Sequence, residues 1–526
     1  MGAIQEKINP ENGEISRQAS GGAFFFSPAK FVLFLMAVHL VVALPLAYVL
    51  NIWVDEASTL YTTQTISHAA GHTMADELQA PLYFWLLSLW RQIDSSIFFA
   101  RAFSILCSLA SIKVAFDITR RFLPAYARKF GVAIFALHPL LFWASTEARG
   151  YALVILLSGL LLRFFYDAYL AETAALKDRV IYIAIAAVSL YTNYFLGFIL
   201  VGNFCALLAL RKFRPAAHYL GHMAVVGVLF SPLGYALTGQ FESRAQMGER
   251  SFFESVRTLW QHLQTFLLPV NIFSEEANIP AFLRLWIFRL GAAGIVIYLC
   301  AKRFKGLSGN TVALGIISLI PTLFLLAVVW LLGSGYANIR HASLLLLPVI
   351  MFFSALLYEV FSKKVLLAWA MLLAFFIPFS TCQEFDGLVK RGDWEKAAAY
   401  VQANEKAGQT ILLFKPYDSL AFKVYYKGPN AVLPGEGFFT WSQQNRFNFT
   451  EAAAALDDQT RSLISQIPPG TNEVWLLTGE VCDNPKTLEA CRALEEYFDS
   501  NYTMVDSKEF YLEKIRLYQK NNTPKK

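Results

Sequence analysis

Long apolar runs recur along most of this chain, and no other feature limits its fold so strongly. A helix needs about 20 apolar residues to cross the hydrocarbon core of a bilayer. Runs of that kind lie near 31–50, 96–118, 130–144, 151–170, 180–192, 194–210, 219–238, 284–301, 311–332, 342–361 and 365–380. Backbone groups in lipid must be satisfied within the segment, so each run is expected to be helical. Composition agrees, because 16% of the residues are charged against about 25% in an ordinary soluble domain. Aromatics make up 15% of the chain, which suits lipid-facing helices with aromatic belts at the interfaces. These properties exclude a single soluble globule, a disordered chain and a disulfide scaffold.

The stretch 180–210 reads as two helices because Thr192-Asn193-Tyr194 interrupts it. Cytoplasmic loops carry an excess of Lys and Arg, so charge placement tests that division. With eleven spans, Arg120, Arg121, Arg128 and Lys129 fall on the N-terminal side of the membrane. So do Lys177 and Arg179, Arg211, Lys212 and Arg214, Lys302, Arg303 and Lys305, and Lys363 and Lys364. Ten spans would scatter them. The expected protein is multi-pass, with residues 1–30 cytoplasmic, a membrane domain over 31–380 and residues 381–526 outside. The first span reads as an uncleaved anchor. Segments 51–95 and 239–283 are the long outer loops.

The C-terminal segment has a soluble composition. DWEKAAAYVQAN, DSLAFKVYYKG and LEACRALEEYFDSN read as helices; QTILLF, NEVWLLTG, YTMVDSKEF and EKIRLYQK read as strands. That alternation predicts a small α/β domain. Cys107, Cys205 and Cys300 sit in apolar stretches, whereas Cys482 and Cys491 lie in the polar tail and could pair in an oxidising compartment. No Cys/His spacing suggests a zinc site.

Four clusters of charge stand where helices leave the membrane. WVDEASTLY puts Asp55 and Glu56 at the end of the first span. Taken alone, the pair reads as a solvated helix end; beside a substrate, two acids can supply a general base and an orienting ligand. DELQAPLYFWLLSLW follows, too short to span and suited to the interface. Arg101 then lies early in the second span, where a charge faces the protein interior or a water-filled cavity. STEARGYAL carries Glu147 and Arg149 in a very short outer loop, a simple ion pair if taken alone. YANIRHASLLLLP places Arg340 and His341 just before a late span. All four fall on the outer face in the eleven-span topology. Carboxylates and arginines converging there suit an anionic lipid headgroup, since the planar guanidinium donates several hydrogen bonds to phosphate.

The order of these motifs is Asp-Glu-Ala after span one, Pro-Leu-Tyr-Phe, Arg in span two, Glu-Ala-Arg-Gly-Tyr-Ala-Leu, Leu-Tyr-Thr-Asn-Tyr-Phe, then Arg-x-x-x-Leu-Leu-Leu-Leu-Pro. It resembles the bacterial family 39 glycosyltransferases, relatives of the protein O-mannosyltransferases and of the lipid A aminoarabinose transferase. The resemblance covers most of 30–380. It implies a polytopic helical GT-C fold in the bacterial inner membrane. It also implies a polyprenyl-phosphate sugar donor and transfer, usually inverting, to a glycan, lipid or protein hydroxyl on the outer side. Asp55 matches the family's first-loop aspartate and takes the general base role, with Glu56 beside it and Glu147 as the second-loop acid. Arg101, Arg149 and Arg340 would neutralise the phosphate; Tyr83, Tyr151, Tyr194 and His341 complete the expected binding set. Metal dependence varies among such enzymes, and a divalent cation (Mg or Mn) would have Asp55 and Glu147 as its ligands. Membrane lipids are expected partners; nucleic acid is not.

The chain departs from the family pattern in places. Gln79-Ala80-Pro81-Leu82-Tyr83 stands where many relatives have His-Pro-Pro-Leu-Tyr, and Arg340-His341 where many have Arg-Tyr. The lysine that the aminoarabinose transferase uses near the interfacial segment is not visible here. A transporter or flippase is the competing class. Transporters often carry paired halves and mid-membrane charges, whereas no internal repeat is apparent here and the charges gather at one face.

Overall fold

The computed structural model describes residues 27–75, 79–244, 251–269, 307–332, 338–390, 392–414, 416–435, 461–479, 482 and 488–521. Helix α1 (Pro28–Val49) starts at Ser27, whose hydroxyl accepts from the Lys30 amide. Three short helices fill the first long loop: α2 (Val54–Thr62), α3 (Ile66–Ala75) and α4 (Leu82–Trp90). Then come α5 (Ile97–Phe122), α6 (Ala127–Ala136), α7 (Pro139–Ser145) and α8 (Tyr151–Phe165). They are followed by α9 (Leu176–Thr192), α10 (Leu196–Ala209), α11 (Phe213–Arg244) and α12 (Phe252–Leu267). Helices α13 (Gly309–Leu332), α14 (Leu346–Leu356) and α15 (Lys363–Glu384) close the apolar part.

Among the described residues, seven stretches are long and apolar enough to cross a membrane: Pro28–Val49, Ile97–Phe122, Tyr151–Leu170, Phe213–Gly234, Gly309–Leu331, Ile339–Phe361 and Lys363–Glu384. Each coincides with an expected run. The expected span at 284–301 lies outside the described residues. The run 130–144 becomes two helices, α6 and α7, because Pro139 lacks an N–H and pushes the preceding residue out of the helical region. His138 is extended there and its Nδ1 accepts from the Leu140 amide at 3.1 Å. The expected break at 192–194 is present, with Asn193 extended and its side chain accepting from the Phe195 amide at 2.9 Å.

Helices approach closely where side chains are small, as packing within a membrane favours. A Cβ at Gly202 of α10 would lie 3.3 Å from the Ile317 Cα of α13. A Cβ at Gly159 of α8 would lie 2.7 Å from Leu347 of α14 and 3.0 Å from Val114 of α5. Helix α5 has 26 residues, about 39 Å at the usual rise, long enough for its ends to reach both sides of a bilayer core. Arg120 and Arg121 lie in its last turn. There Arg121 grips Asp167 through two bonds of 2.7 and 2.8 Å, and Asn310 donates to the Arg121 carbonyl at 3.0 Å. Lys212 donates to the Leu170 carbonyl at 2.7 Å. Basic loops thus gather at one end, and Arg101 stands near the other.

Beyond α15 the chain forms a five-stranded sheet with helices α16 (Trp394–Asn404), α17 (Pro416–Tyr425) and α18 (Leu488–Asn501). The strands are β1 (Thr410–Leu413), β2 (Ala431–Leu433), β3 (Glu473–Gly479), β4 (Tyr502–Phe510) and β5 (Glu513–Lys520), in the order β2-β1-β3-β5-β4. Strand β1 is parallel to both neighbours, with Ile411 opposite Val432 and Trp475. It is buried along its whole length, as a parallel strand covered on both faces must be. Strands β3, β5 and β4 are antiparallel in turn, with a bulge between Met504 and Asp506. The expected strands and helices are present; β2, three residues long, shows no alternation from which to read it. Cys482 and Cys491 are disulfide-bonded.

Candidate active site

The end of α1 and the start of α2 build the floor of the site. Leu50 and Trp53 are extended, and α2 begins with Asp55 and Glu56 in its first turn, where the helix dipole favours acids. Adjacent helical residues point in different directions. Glu56 turns inward and is fully buried, while the Asp55 side chain keeps 27% of its exposure.

Arg101 meets Glu56 through two bonds, Nε to Oε1 at 2.9 Å and Nη2 to Oε2 at 2.8 Å. Its remaining N–H groups donate to the carbonyls of Ala47 (3.0 Å), Leu50 (2.7 Å) and Asn51 (2.8 Å). All five guanidinium donors are therefore used, and the side chain is buried. No N–H of Arg101 is left over for a phosphate, the partner expected for it from the sequence. Arg101 caps the C-terminal end of α1 and the two residues after it, where a cation also complements the helix dipole. Glu56 is likewise spent on structure, since its Oε1 also accepts from the Ala148 amide at 2.8 Å.

Glu147 lies in the turn between α7 and α8. Its Oε2 accepts from the Trp53 indole at 2.6 Å, and Ser104 Oγ donates to its backbone carbonyl at 2.6 Å. Lys390, just past the end of α15, was not among the sequence candidates. Its ammonium lies 2.8 Å from Glu56 Oε2 and 2.9 Å from Glu147 Oε1, and donates to the Thr146 carbonyl at 2.8 Å. Burial raises the pKa of both acids. At Glu56 the charges of Arg101 and Lys390 outweigh burial and bring it down to about 2. At Glu147 burial prevails over Lys390, and the value rises to about 7.

The open side of the floor carries Asp55 and two arginines. Arg340 Nη1 bonds Asp55 Oδ2, and the Arg340 guanidinium stands 5.4 Å from the Trp53 ring. Arg149 Nη2 is 3.9 Å from Asp55 Oδ2, while its Nη1 donates to the Asp55 carbonyl (3.1 Å) and to Thr59 Oγ1 (2.7 Å). The Arg149 guanidinium lies 6.0 Å from the Tyr151 ring. Tyr83 of α4 is buried beneath, its ring 3.3 Å from where a Gly150 Cβ would stand. Its hydroxyl has no hydrogen-bond partner among the described residues. His341 and Tyr194 lie in a neighbouring aromatic patch: His341 meets Phe195 edge-on at 6.2 Å, and Tyr194 meets Phe230 at 6.3 Å.

These carboxylates do not form a cation cage. Asp55 is held by Arg340 and Glu147 by Lys390 and Trp53, so an ion at either would have to displace a resident cation. Among the described residues the one group of three metal-type donors is Cys482, Cys491 and Glu495, and its two sulfurs are bonded to each other.

The comparison of folds decides the architecture. ArnT from Cupriavidus metallidurans, in a crystal structure bound to undecaprenyl phosphate, aligns over 93% of this chain and 98% of its own, with a TM-score of 0.52 and 13% identity. The chain has the GT-C fold. The archaeal oligosaccharyltransferase AglB from Archaeoglobus fulgidus, in complex with an inhibitory peptide and a dolichol-phosphate, aligns over 91% of this chain and 73% of its own. Its TM-score is 0.46 at 12% identity, and the fold assignment rests on ArnT. No family model and no curated protein sequence matches the chain.

Proposed function

We propose that this GT-C protein is an integral-membrane glycosyltransferase that moves a sugar from a polyprenyl-phosphate donor to an acceptor hydroxyl at the outer face of a bacterial inner membrane. One observation carries the reading. A partly exposed aspartate stands between two arginines at the end of the helix bundle, above a floor of acids that are already neutralised. Acid and cations are thus side by side where a hydroxyl and a phosphate would have to meet. The site also lies at the end of α5 opposite Arg120 and Arg121, which supports an outer location.

Asp55 takes the proton of the acceptor hydroxyl as its oxygen forms a bond to the anomeric carbon. The bond from that carbon to the phosphate oxygen breaks, and its electron pair stays on the phosphate. Attack from the face opposite the leaving group inverts the anomeric carbon. Arg149 and Arg340 stabilise the growing phosphate charge, the kind of electrostatic help that matters most in a water-poor site. Arg340 then has two anions to serve. A donor phosphate that draws it from Asp55 frees the carboxylate lone pairs to act as a base. Tyr151 lines the same side with Tyr83 buried beneath it, and His341 with Tyr194 extends it.

The test is release of free polyprenyl phosphate from a panel of polyprenyl-phosphate sugars, with cell-envelope acceptors present. Wild-type protein should release it from one donor class, and Asp55→Asn should slow release by about 100-fold or more, the usual worth of a general base. Equal rates for the two proteins would remove Asp55 from that role. No release from any donor would overturn the donor assignment.

A further inference from the structure

The tail reaches into the floor of the site. Lys390 is the first basic residue after α15, and its side chain is 8% exposed. An ammonium group has three hydrogens. Two oxygens accept from this one, Glu56 Oε2 and the Thr146 carbonyl, each at 2.8 Å, and Glu147 Oε1 stands 2.9 Å away as its ion-pair partner. They come from α2 and from the turn before α8, so one lysine ties both elements to the start of the C-terminal segment. The backbone is pinned at the same point. The Lys390 amide donates to Asn51 Oδ1 at 2.6 Å, and Asn51 Nδ2 donates to the Gly392 carbonyl at 2.6 Å.

From Lys390 a short line of contacts leads to the open side. Glu147, held by Lys390 through Oε1, accepts the Trp53 indole N–H through Oε2 at 2.6 Å. That bond fixes the indole plane. The face of the Trp53 ring supports the Arg340 guanidinium at 5.4 Å, and Arg340 holds Asp55. Without the ammonium, Glu56 would keep Arg101 as its ion pair, while Glu147 would lose the ion-pair partner that orients it toward Trp53.

We infer that Lys390 is a positioning residue: it sets Glu147 and, through Trp53, the stance of Arg340 against Asp55, so that the site is complete only when the C-terminal segment is docked. The inference rests on the glycosyltransferase reading for its effect on turnover. Its effect on the floor of the site is independent of that reading.

The experiment compares full-length Lys390→Met, Lys390→Arg and Tyr425→Phe with wild type. Tyr425 accepts the Ile52 amide at 2.7 Å on the same docking surface and hydrogen-bonds neither buried acid. Lys390→Met should lower kcat about tenfold or more while leaving the KM for the lipid donor within about threefold, since geometry at the reacting groups suffers and not donor binding. Lys390→Arg should keep kcat within about threefold by preserving the charge. Tyr425→Phe should stay within about twofold. Amide hydrogen exchange of residues 146–149, where the Ala148 amide bonds Glu56 and Lys390 bonds the Thr146 carbonyl, should quicken in Lys390→Met alone. Wild-type kcat in Lys390→Met, or an equal loss in Tyr425→Phe, would overturn the inference. Should Lys390→Met not fold, the charge-balanced Glu147→Gln/Lys390→Met protein should fold and keep the kcat defect; full activity in it would overturn the inference equally. If wild type turns over no donor, the glycosyltransferase reading falls. The positioning role then stands or falls by the exchange result.

Discussion

Asp55 and Glu56 are neighbours in sequence with different work, because one residue of α-helix turns a side chain by about 100°. Asp55 looks toward the open side and its arginines; Glu56 looks down into Arg101 and Lys390. The third acid, Glu147, has an opposite pH behaviour to Glu56. Its folded pKa of about 7 lies above the ordinary 4.5, so the folded protein holds this proton more tightly than the unfolded chain does. The stability it contributes is complete below about pH 4.5 and lost as the pH rises through about 7. Thermal unfolding in detergent should therefore show a decline over that window that is weaker in Glu147→Gln. Identical pH slopes for the two proteins would contradict the assignment.

At the scale of elements, the important event is the meeting of α1, α2 and α5. Carbonyls at the C-terminus of α1 and just past it lack intrahelical partners, and α5 supplies Arg101 to take those of Ala47, Leu50 and Asn51. The same guanidinium holds Glu56 at the start of α2, so one side chain sets the angle between three elements. A lysine has three donors and cannot serve five bonds. Arg101→Lys should thus cost about 3 kcal/mol or more, two charged hydrogen bonds at about 1.5–3 kcal/mol each. It should appear as a lowered melting temperature. An unchanged melting temperature would show that the α1 terminus is satisfied in another way.

For the whole molecule, the division between the two ends of the bundle governs topology. Arg121, Asp167 and Lys212 stand together at one end, and Asp55, Arg149, Arg340 and the docked C-terminal segment at the other. In a Cys382→Ser background, a cysteine placed at Lys427 should react with an impermeant maleimide in intact cells, and one placed at Lys177 only after permeabilisation. The reverse pattern would invert the orientation and remove the outer-face assignment.

Much of this was legible from residue order alone. Hydrophobic run lengths and basic loops are local properties, and a bilayer turns them directly into helices and sides. The alternation of β and α segments in the tail is local as well, and so is the recurrence of Asp55, Glu147, Arg149 and Arg340 where helices end. Which charges are spent on structure and which remain for a substrate is not local. Arg101 reads the same as Arg340 in sequence, yet one has all five donors satisfied by the fold and the other faces Asp55 on the open side. Lys390 could be noticed only as a basic residue on the side where the charge rule expects few. Its partners are 334 and 244 residues away along the chain. Only the tertiary structure, by closing those distances and removing the water between the groups, decided that it belongs to the floor of the site.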